Sequence, residues 1–401
     1  MIASSLAPYG RDRASLAGRT VLQIIPNLDA GGAERTTIDV AAALVRAGAR
    51  ALVASEGGRL ASELQAVGGL WLPFPAASKN PLAMLLNTRR LALLIIAERV
   101  DLVHARSRAP AWVAMGACRI ADRPFMTTFH GAYGGRSSLK LRYNSVMARG
   151  DVVIANSQFT ADMIARLYPQ ARERLRVIYR GTDLRAFSPS QVDRDRIARL
   201  REAWGVAPHE RVVLLAARLT GWKGQKVLIE AASLLKGQLD DIRYILAGDP
   251  QGRDGYANEL DALIAAKGLK GVVSRVGHIV DMPAAFLAAS VVAVPSTEPE
   301  AFGRSAVEAQ AMGAMVVVSN LGAVPETVLA PPDAPPEGRT GWRTPPGDAA
   351  ALAEALKAAL TLGSTGREAI ARRARAHVEK NFSLEQMTRK TLEAYLSLLP
   401  P

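Results

Sequence analysis

A single cysteine, Cys118, stands in 401 residues, so an internal disulfide is excluded. It has no Cys or His neighbours at metal-ligand spacing, which removes a thiolate metal site and points to a reducing compartment. Residues 1–18 hold no apolar run that would serve as a signal-peptide core. The most apolar segment, Leu82–Val100, is interrupted by Asn87, Arg89, Arg90 and Glu98, short of the near-unbroken span that a bilayer crossing needs. It is expected to form a buried amphipathic helix. These absences lead to the expectation of a cytoplasmic protein. Acids are also scarce: 37 Asp and Glu against 50 Lys and Arg leave a net charge of +13. Such a charge draws a protein toward phosphates, nucleic acid or an anionic membrane, without choosing among them. Arginines scattered through alanine-rich helices would equally well be solvated surface.

What is present is an ordinary globular composition, 49% hydrophobic and 22% charged, in a chain long enough for two domains. Thr20–Ile25 (TVLQII) is a strand pattern, followed by a turn ending in Gly31 and Gly32 and a helix pattern over Ala33–Arg46. That order suits a phosphate cradle, although a glycine pair that merely turns the chain has the same pattern. The dinucleotide fingerprint G-x-G-x-x-G is absent. Strand patterns recur at Ala51–Ser55, Leu70–Phe74, Asp101–Ala105, Phe125–Phe129 and Asp151–Ala155, with helix patterns between them. A second alternation begins at Arg211, with strands at Val212–Ala217, Arg243–Ala247, Val272–Val276, Ser290–Val294 and Met315–Ser319. The fold class is therefore α/β: two Rossmann-like domains, each with a mostly parallel sheet covered by helices, facing across a cleft. Ligands are expected at the C-terminal ends of the strands.

Several stretches carry candidate chemistry. In PSTEPEAFGRSAVEAQAMG, Pro295–Gly313, the acids Glu300 and Glu308 flank a turn at Phe302 and Gly303 that leads into a helix. Helix-start N–H groups beside acceptor-only carboxylates suit a phosphorylated, polyhydroxy ligand, although a cap and a solvated face use the same residues. His130 leaves a strand in MTTFHGAYGG, with Gly131, Gly134 and Gly135 just after it, and is placed to meet a ligand. Arg136–Arg149 (RSSLKLRYNSVMAR) mixes apolar and basic residues as an interfacial helix on anionic lipid does, or as an ordinary surface helix does. Composition shifts after RVIYRGTDLRAFSP, which sets the boundary: residues 1–190 form the N-terminal domain and 191–382 the C-terminal one. The final helix, within 383–401, is free to pack back on the first.

The ordered set GGAER, FHG, VIANSQF, RGTDLRAFSP, ARLTGWKGQ, LAGDP, RVGHI, VPSTEPEAFGRSAVEAQAMG and NLGAVPETV resembles the retaining GT-B glycosyltransferases of family 4, the glycosyl transferases group 1. The resemblance runs from about Thr20 to Tyr395. It implies that the C-terminal domain binds a nucleotide diphosphate sugar and the N-terminal domain a hydroxyl acceptor. Arg218 and Lys223 would pair with the donor diphosphate and stabilise charge on the departing nucleotide, with no metal and no cofactor. Glu308 would accept from the ribose, and Glu300, with Phe302 and Gly303 beside it, would sit near the transferred sugar. His278 of RVGHI and the Gly31–Gly32 loop would complete the donor side, and His130 would act on the acceptor side as a catalytic residue with Glu300. Arg180 and Glu326 would meet the acceptor or line the hinge, while Gly322 and Glu326 lie on a further donor-side loop where Glu326 would equally cap a helix. Two positions depart from the family pattern: Tyr179-Arg180-Gly181 replaces proline-asparagine-glycine, and Ser290 replaces a frequent aspartate.

The implied activity is retaining glycosyl transfer in lipopolysaccharide core, exopolysaccharide or other envelope glycan or glycolipid synthesis. Domain closure would exclude water from it. The implied partners are the donor, a glycan or lipid-linked acceptor, and the anionic inner face of the cytoplasmic membrane, with no nucleic acid. Two rivals share the fold: a nucleotide-sugar epimerase, and a basic peripheral scaffold without turnover.

Overall fold

A computed structural model describes residues 15–29, 31–131 and 137–400. Gly134, Gly135 and Arg136, part of the glycine-rich loop and helix expected after His130, lie outside the described residues. Among the described residues there are thirteen strands: β1 Thr20–Ile24, β2 Arg50–Ser55, β3 Leu70–Pro73, β4 Leu102–Ala105, β5 Phe125–Phe129, β6 Val152–Ala155, β7 Leu175–Val177, β8 Arg211–Ala216, β9 Ile242–Ala247, β10 Val273–Gly277, β11 Val291–Val294, β12 Met315–Ser319 and β13 Trp342–Thr344. The helices of the first half are α1 Gly32–Arg46, α2 Ala61–Ala66, α3 Pro81–Ala97, α4 Arg108–Ala121, α5 Ser138–Asn144 and α6 Gln158–Leu167. Those of the second are α7 Arg194–Ala203, α8 Gln225–Leu235, α9 Asp254–Ala266, α10 Met282–Ala288, α11 Arg304–Ala311, α12 Val324–Thr327, α13 Ala349–Thr361, α14 Ser364–Asn381 and α15 Leu384–Leu396.

The chain divides into two units, one of 1–154, 164–176 and 388–401, the other of 155–163 and 177–387. The first holds a seven-stranded sheet in the order β3-β2-β1-β4-β5-β6-β7, the second a six-stranded sheet in the order β10-β9-β8-β11-β12-β13. The registered pairs β1–β2, β1–β4, β8–β9 and β8–β11 are all parallel. Each order runs outward, then reverses: between β1 and β4 in the first sheet and between β8 and β11 in the second. Loops leaving the C-terminal ends of strands at such a reversal diverge and leave a crevice, which is where α/β sheets bind ligands.

The second sheet shows why near-continuous apolar strands require helices on both faces. Val213 and Leu215 of β8 pack with α8, α9 and α13, whereas Val212 and Leu214 pack with α10 and α11. Successive side chains of a strand point oppositely, so each face acquires its own core. β13 carries only Trp342, Arg343 and Thr344, too short for a periodicity to be visible.

Two helix expectations need correction. The stretch Arg136–Arg149 is no single interfacial helix: α5 stops at Asn144, and Val146 and Met147 of the following 3-10 turn are fully buried. Their apolar character serves the core. Conversely α3, expected to be buried, encloses only Asn87, Leu91, Ala92 and Ile95, and presents a row of leucines outward.

Candidate active site

The ends of β8 and β11 in the second unit bring Lys223 and Glu300 together across 77 residues of sequence. Lys223 Nζ donates to Glu300 Oε1 at 2.5 Å, and Ser296 Oγ donates to the same oxygen at 2.7 Å. Lys223 also lies over the Trp222 ring, 4.2 Å from its centroid. Both ends of the pair are mostly withdrawn from water, at 17% and 10% side-chain exposure, so the attraction is weakly screened and the geometry well held.

Glycines set that geometry. Gly224, at φ +76°, follows Lys223 and packs so tightly on the Pro295 carbonyl that a Cβ would collide with backbone. Thr297 N donates to Trp222 O at 2.8 Å, stapling the two loops. On the other side Gly322, at φ +68°, packs against the Glu300 backbone, and Ala323 N donates to Glu300 O at 2.8 Å. Glu300 is thus fixed by its side chain and by its main chain.

Gly303, at φ +82°, is the N-cap of α11, and its left-handed backbone turns the chain from Glu300 into the helix. The Phe302 ring does not point to a ligand. It is buried with Val307, Val378 and Phe382, edge-on to Phe382 at 5.5 Å between centroids. Only its backbone is left to face a ligand. Glu308 is buried one turn into α11 and pairs with Arg304 Nε at 3.0 Å. Burial raises its pKa and Arg304 opposes the rise, so a further charged donor at Glu308 would be favourable.

Arg218 follows β8, is exposed and has no ion pair among the described residues, which leaves its guanidinium available. His278 is exposed just beyond β10, an edge strand two places from β8 in the sheet. Glu326 has a structural task. Its two carboxylate oxygens accept from Gln158 N and Phe159 N, each at 2.7 Å, capping α6, and Tyr179 donates to it as well. With both oxygens engaged, the capping alternative describes Glu326. Arg180 is half-buried beyond β7.

The first unit places Gly31 and Gly32 after β1 and His130 after β5, with β4 between those strands. Gly31 is the N-cap of α1, and the Glu34 carboxylate folds back over it. That position at a helix start suits an anion, and here a side-chain anion covers it.

The Glycosyltransferase Family 4 model matches residues 30–186, and the Glycosyl transferases group 1 model matches residues 197–377. A glycosyltransferase from Rickettsia africae ESF-5 is 35% identical, with a TM-score of 0.86 over 95% of this chain and 98% of that one. The chain belongs to the group 1 glycosyltransferases of the GT-B fold. HepE from Anabaena, solved with UDP and glucose, is 29% identical to this group 1 chain, with a TM-score of 0.82 over 95% of it and 100% of HepE. The D-inositol 3-phosphate glycosyltransferase of Mycobacterium tuberculosis is 32% identical over 255 residues, 62% of this chain and 49% of that protein. The chain spans about half the length of the curated relatives it matches.

Some residues of this group 1 chain escaped sequence reasoning. Ser296 and Trp222, which hold Glu300 and Lys223, have no spacing signal because their partners lie on another loop. Arg304, four residues before Glu308, is visible as an i,i+4 pair. In the first unit a buried network was missed altogether. His104 is fully buried, with Nδ1 2.7 Å from Tyr395 Oη and Nε2 2.7 Å from Thr128 Oγ1. Arg106, also buried, donates through Nε to Gln23 Oε1 at 3.0 Å and meets the Tyr395 hydroxyl. Burial, and then Arg106 and His130, hold the His104 pKa well below the usual histidine range. The network stands behind His130, joined to it by the Thr128–Phe129 segment.

Proposed function

We propose that the protein is a retaining glycosyltransferase that moves a sugar from a nucleotide diphosphate sugar to a hydroxyl acceptor, without a metal or cofactor. The Lys223–Glu300 pair at the β8/β11 reversal carries this reading. A donor diphosphate would compete with Glu300 for the Lys223 ammonium, with Arg218 adding its guanidinium. Released from Lys223, Glu300 would accept from hydroxyls of the transferred sugar, while Ser296 keeps it in place. Glu308 would accept from the ribose, and the backbone N–H groups at the start of α11 would face the sugar or phosphate.

In the reaction the bond from the anomeric carbon to the diphosphate oxygen breaks, and the acceptor oxygen bonds to the same face of that carbon. The acceptor proton passes to an oxygen of the leaving diphosphate. Lys223 and Arg218 stabilise the charge that develops on that group, which is the largest contribution these residues make to the transition state. The acceptor class is an envelope glycan or lipid-linked saccharide, used at the inner face of the cytoplasmic membrane. The named relatives, which include an inositol phosphate glycosyltransferase and HepE, support sugar transfer of this kind.

The test is a thermal-shift screen against UDP-, GDP- and ADP-hexoses. One donor is expected to raise Tm, and Lys223→Ala or Glu308→Ala to weaken its binding roughly tenfold or more. The product with a lipid-linked saccharide should keep the donor's anomeric configuration by NMR. No shift at several millimolar of any donor overturns the reading, and sugar isomerisation without an acceptor replaces it with an epimerase.

A further inference from the structure

Helix α3 presents an apolar row outward. Leu82, Leu85, Leu86, Leu93 and Ile96 are 55–74% exposed. At 3.6 residues per turn they fall within an arc of about 100°. The opposite face, with Leu91, Ala92 and Ile95, is buried, and Gly116 of α4 leaves room for Thr88 at the contact between the two helices. The helix thus carries apolar residues on both faces, yet only one face is covered. An exposed apolar row of this length marks an interaction surface.

Charge decides what covers it. Arg89 and Arg90 stand within and at the edge of the exposed row, both exposed and neither ion-paired among the described residues. Lys79 precedes the helix, and Arg99 follows it. Arg123, whose Nε donates to Val100 O at 2.9 Å, ties the end of α4 alongside, where Arg119 and Ile120 are also exposed. Of the nearby acids, Glu98 is paired with Arg50, leaving Asp122. A second copy docked through this face would set arginine against arginine with almost no carboxylate to offset it. Anionic lipid supplies both the apolar interior and the negative charge. Among the described residues no helix is long and apolar enough to cross a membrane, so α3 would lie along the surface.

We propose that the outer face of α3 is a docking surface for an anionic lipid bilayer, with the leucine row in the acyl boundary and Arg89 and Arg90 at the headgroups. The proposal deepens the reading of an acceptor used at the membrane face, on which it rests, and is independent of the donor site.

The experiment is flotation of the full chain with vesicles of phosphatidylcholine alone or with added phosphatidylglycerol. Binding to the mixed vesicles is expected. Leu86→Glu with Leu93→Glu should lower it by roughly tenfold or more, since each leucine loses its apolar transfer. Arg89→Gln with Arg90→Gln should lower it several-fold. Circular dichroism and the donor-induced Tm shift, both measured without vesicles, report folding separately from docking. If the double glutamate variant does not fold, Leu93→Gln alone serves, at a position 69% exposed. Three results overturn the proposal: no binding to mixed vesicles; binding that salt removes but the leucine variants leave intact, which is general attraction to a +13 chain; or a dimer in light scattering that the leucine variants abolish, which assigns the face to a second copy.

Discussion

Lys223 and Glu300 show how two residues of opposite charge are made into one device by glycines that have no charge. Neither glutamate nor lysine is unusual in a loop, and the pair becomes specific only because Gly224 and Gly322 let their loops approach. Both have a positive φ with backbone against the Cβ position, and Gly224 is the more demanding because the Pro295 carbonyl oxygen lies closer to it than the Glu300 backbone does to Gly322. Gly224→Ala should lower stability by about 2 kcal/mol or more in urea titration and weaken donor binding with it. A stability change under about 0.5 kcal/mol would mean that the loop relocates without strain. At this scale the sequence offered Glu300 as one of two acids flanking a turn, and Lys223 only through the family resemblance. It did not show the pairing, which joins loops 77 positions apart.

Helix α15 illustrates what an element does beyond its own packing. Its last residues belong to the first unit, and there Tyr395 reaches His104 and Arg106, one of them an uncharged ring and the other a guanidinium removed from water. Buried polar groups that lose a partner keep their desolvation cost, so Tyr395→Phe should lower the stability of the first unit by about 1–3 kcal/mol. Denaturant unfolding of the variant checks this, and an unchanged midpoint would show that water replaces the hydroxyl. Helix periodicity predicted α15 because its apolar positions repeat, but periodicity does not state which core a helix enters. For the same reason it assigned α3 to the interior: an apolar helix signals contact with something, and the pattern is silent on whether that is protein or lipid.

For the whole molecule the buried histidine has a consequence in pH. The folded value of His104 is depressed, so as pH falls the unfolded chain takes up the proton first. Stability from this group is complete above the ordinary histidine value of 6.5 and is lost as pH falls below it toward the folded value. The loss should approach about 1.4 kcal/mol per pH unit. Tm measured from pH 7.5 to 5.5 should therefore drop in the native chain, and His104→Asn, although less stable throughout, should show a shallower slope. Equal slopes would remove His104 from the acid response.

The alternation of strands and helices, the parallel sheets and the strand ends on which His130, Lys223 and Glu300 sit were determined by the sequence alone, since period and turn chemistry are local properties. The tertiary structure decided the rest. Only folding assigned Glu326 to a helix cap, buried Val146 and Met147, exposed the leucines of α3 and joined Tyr395 to His104. Each of those outcomes depends on which distant surface arrives beside a residue, and that depends on the order of strands in the sheet, which no local pattern contains.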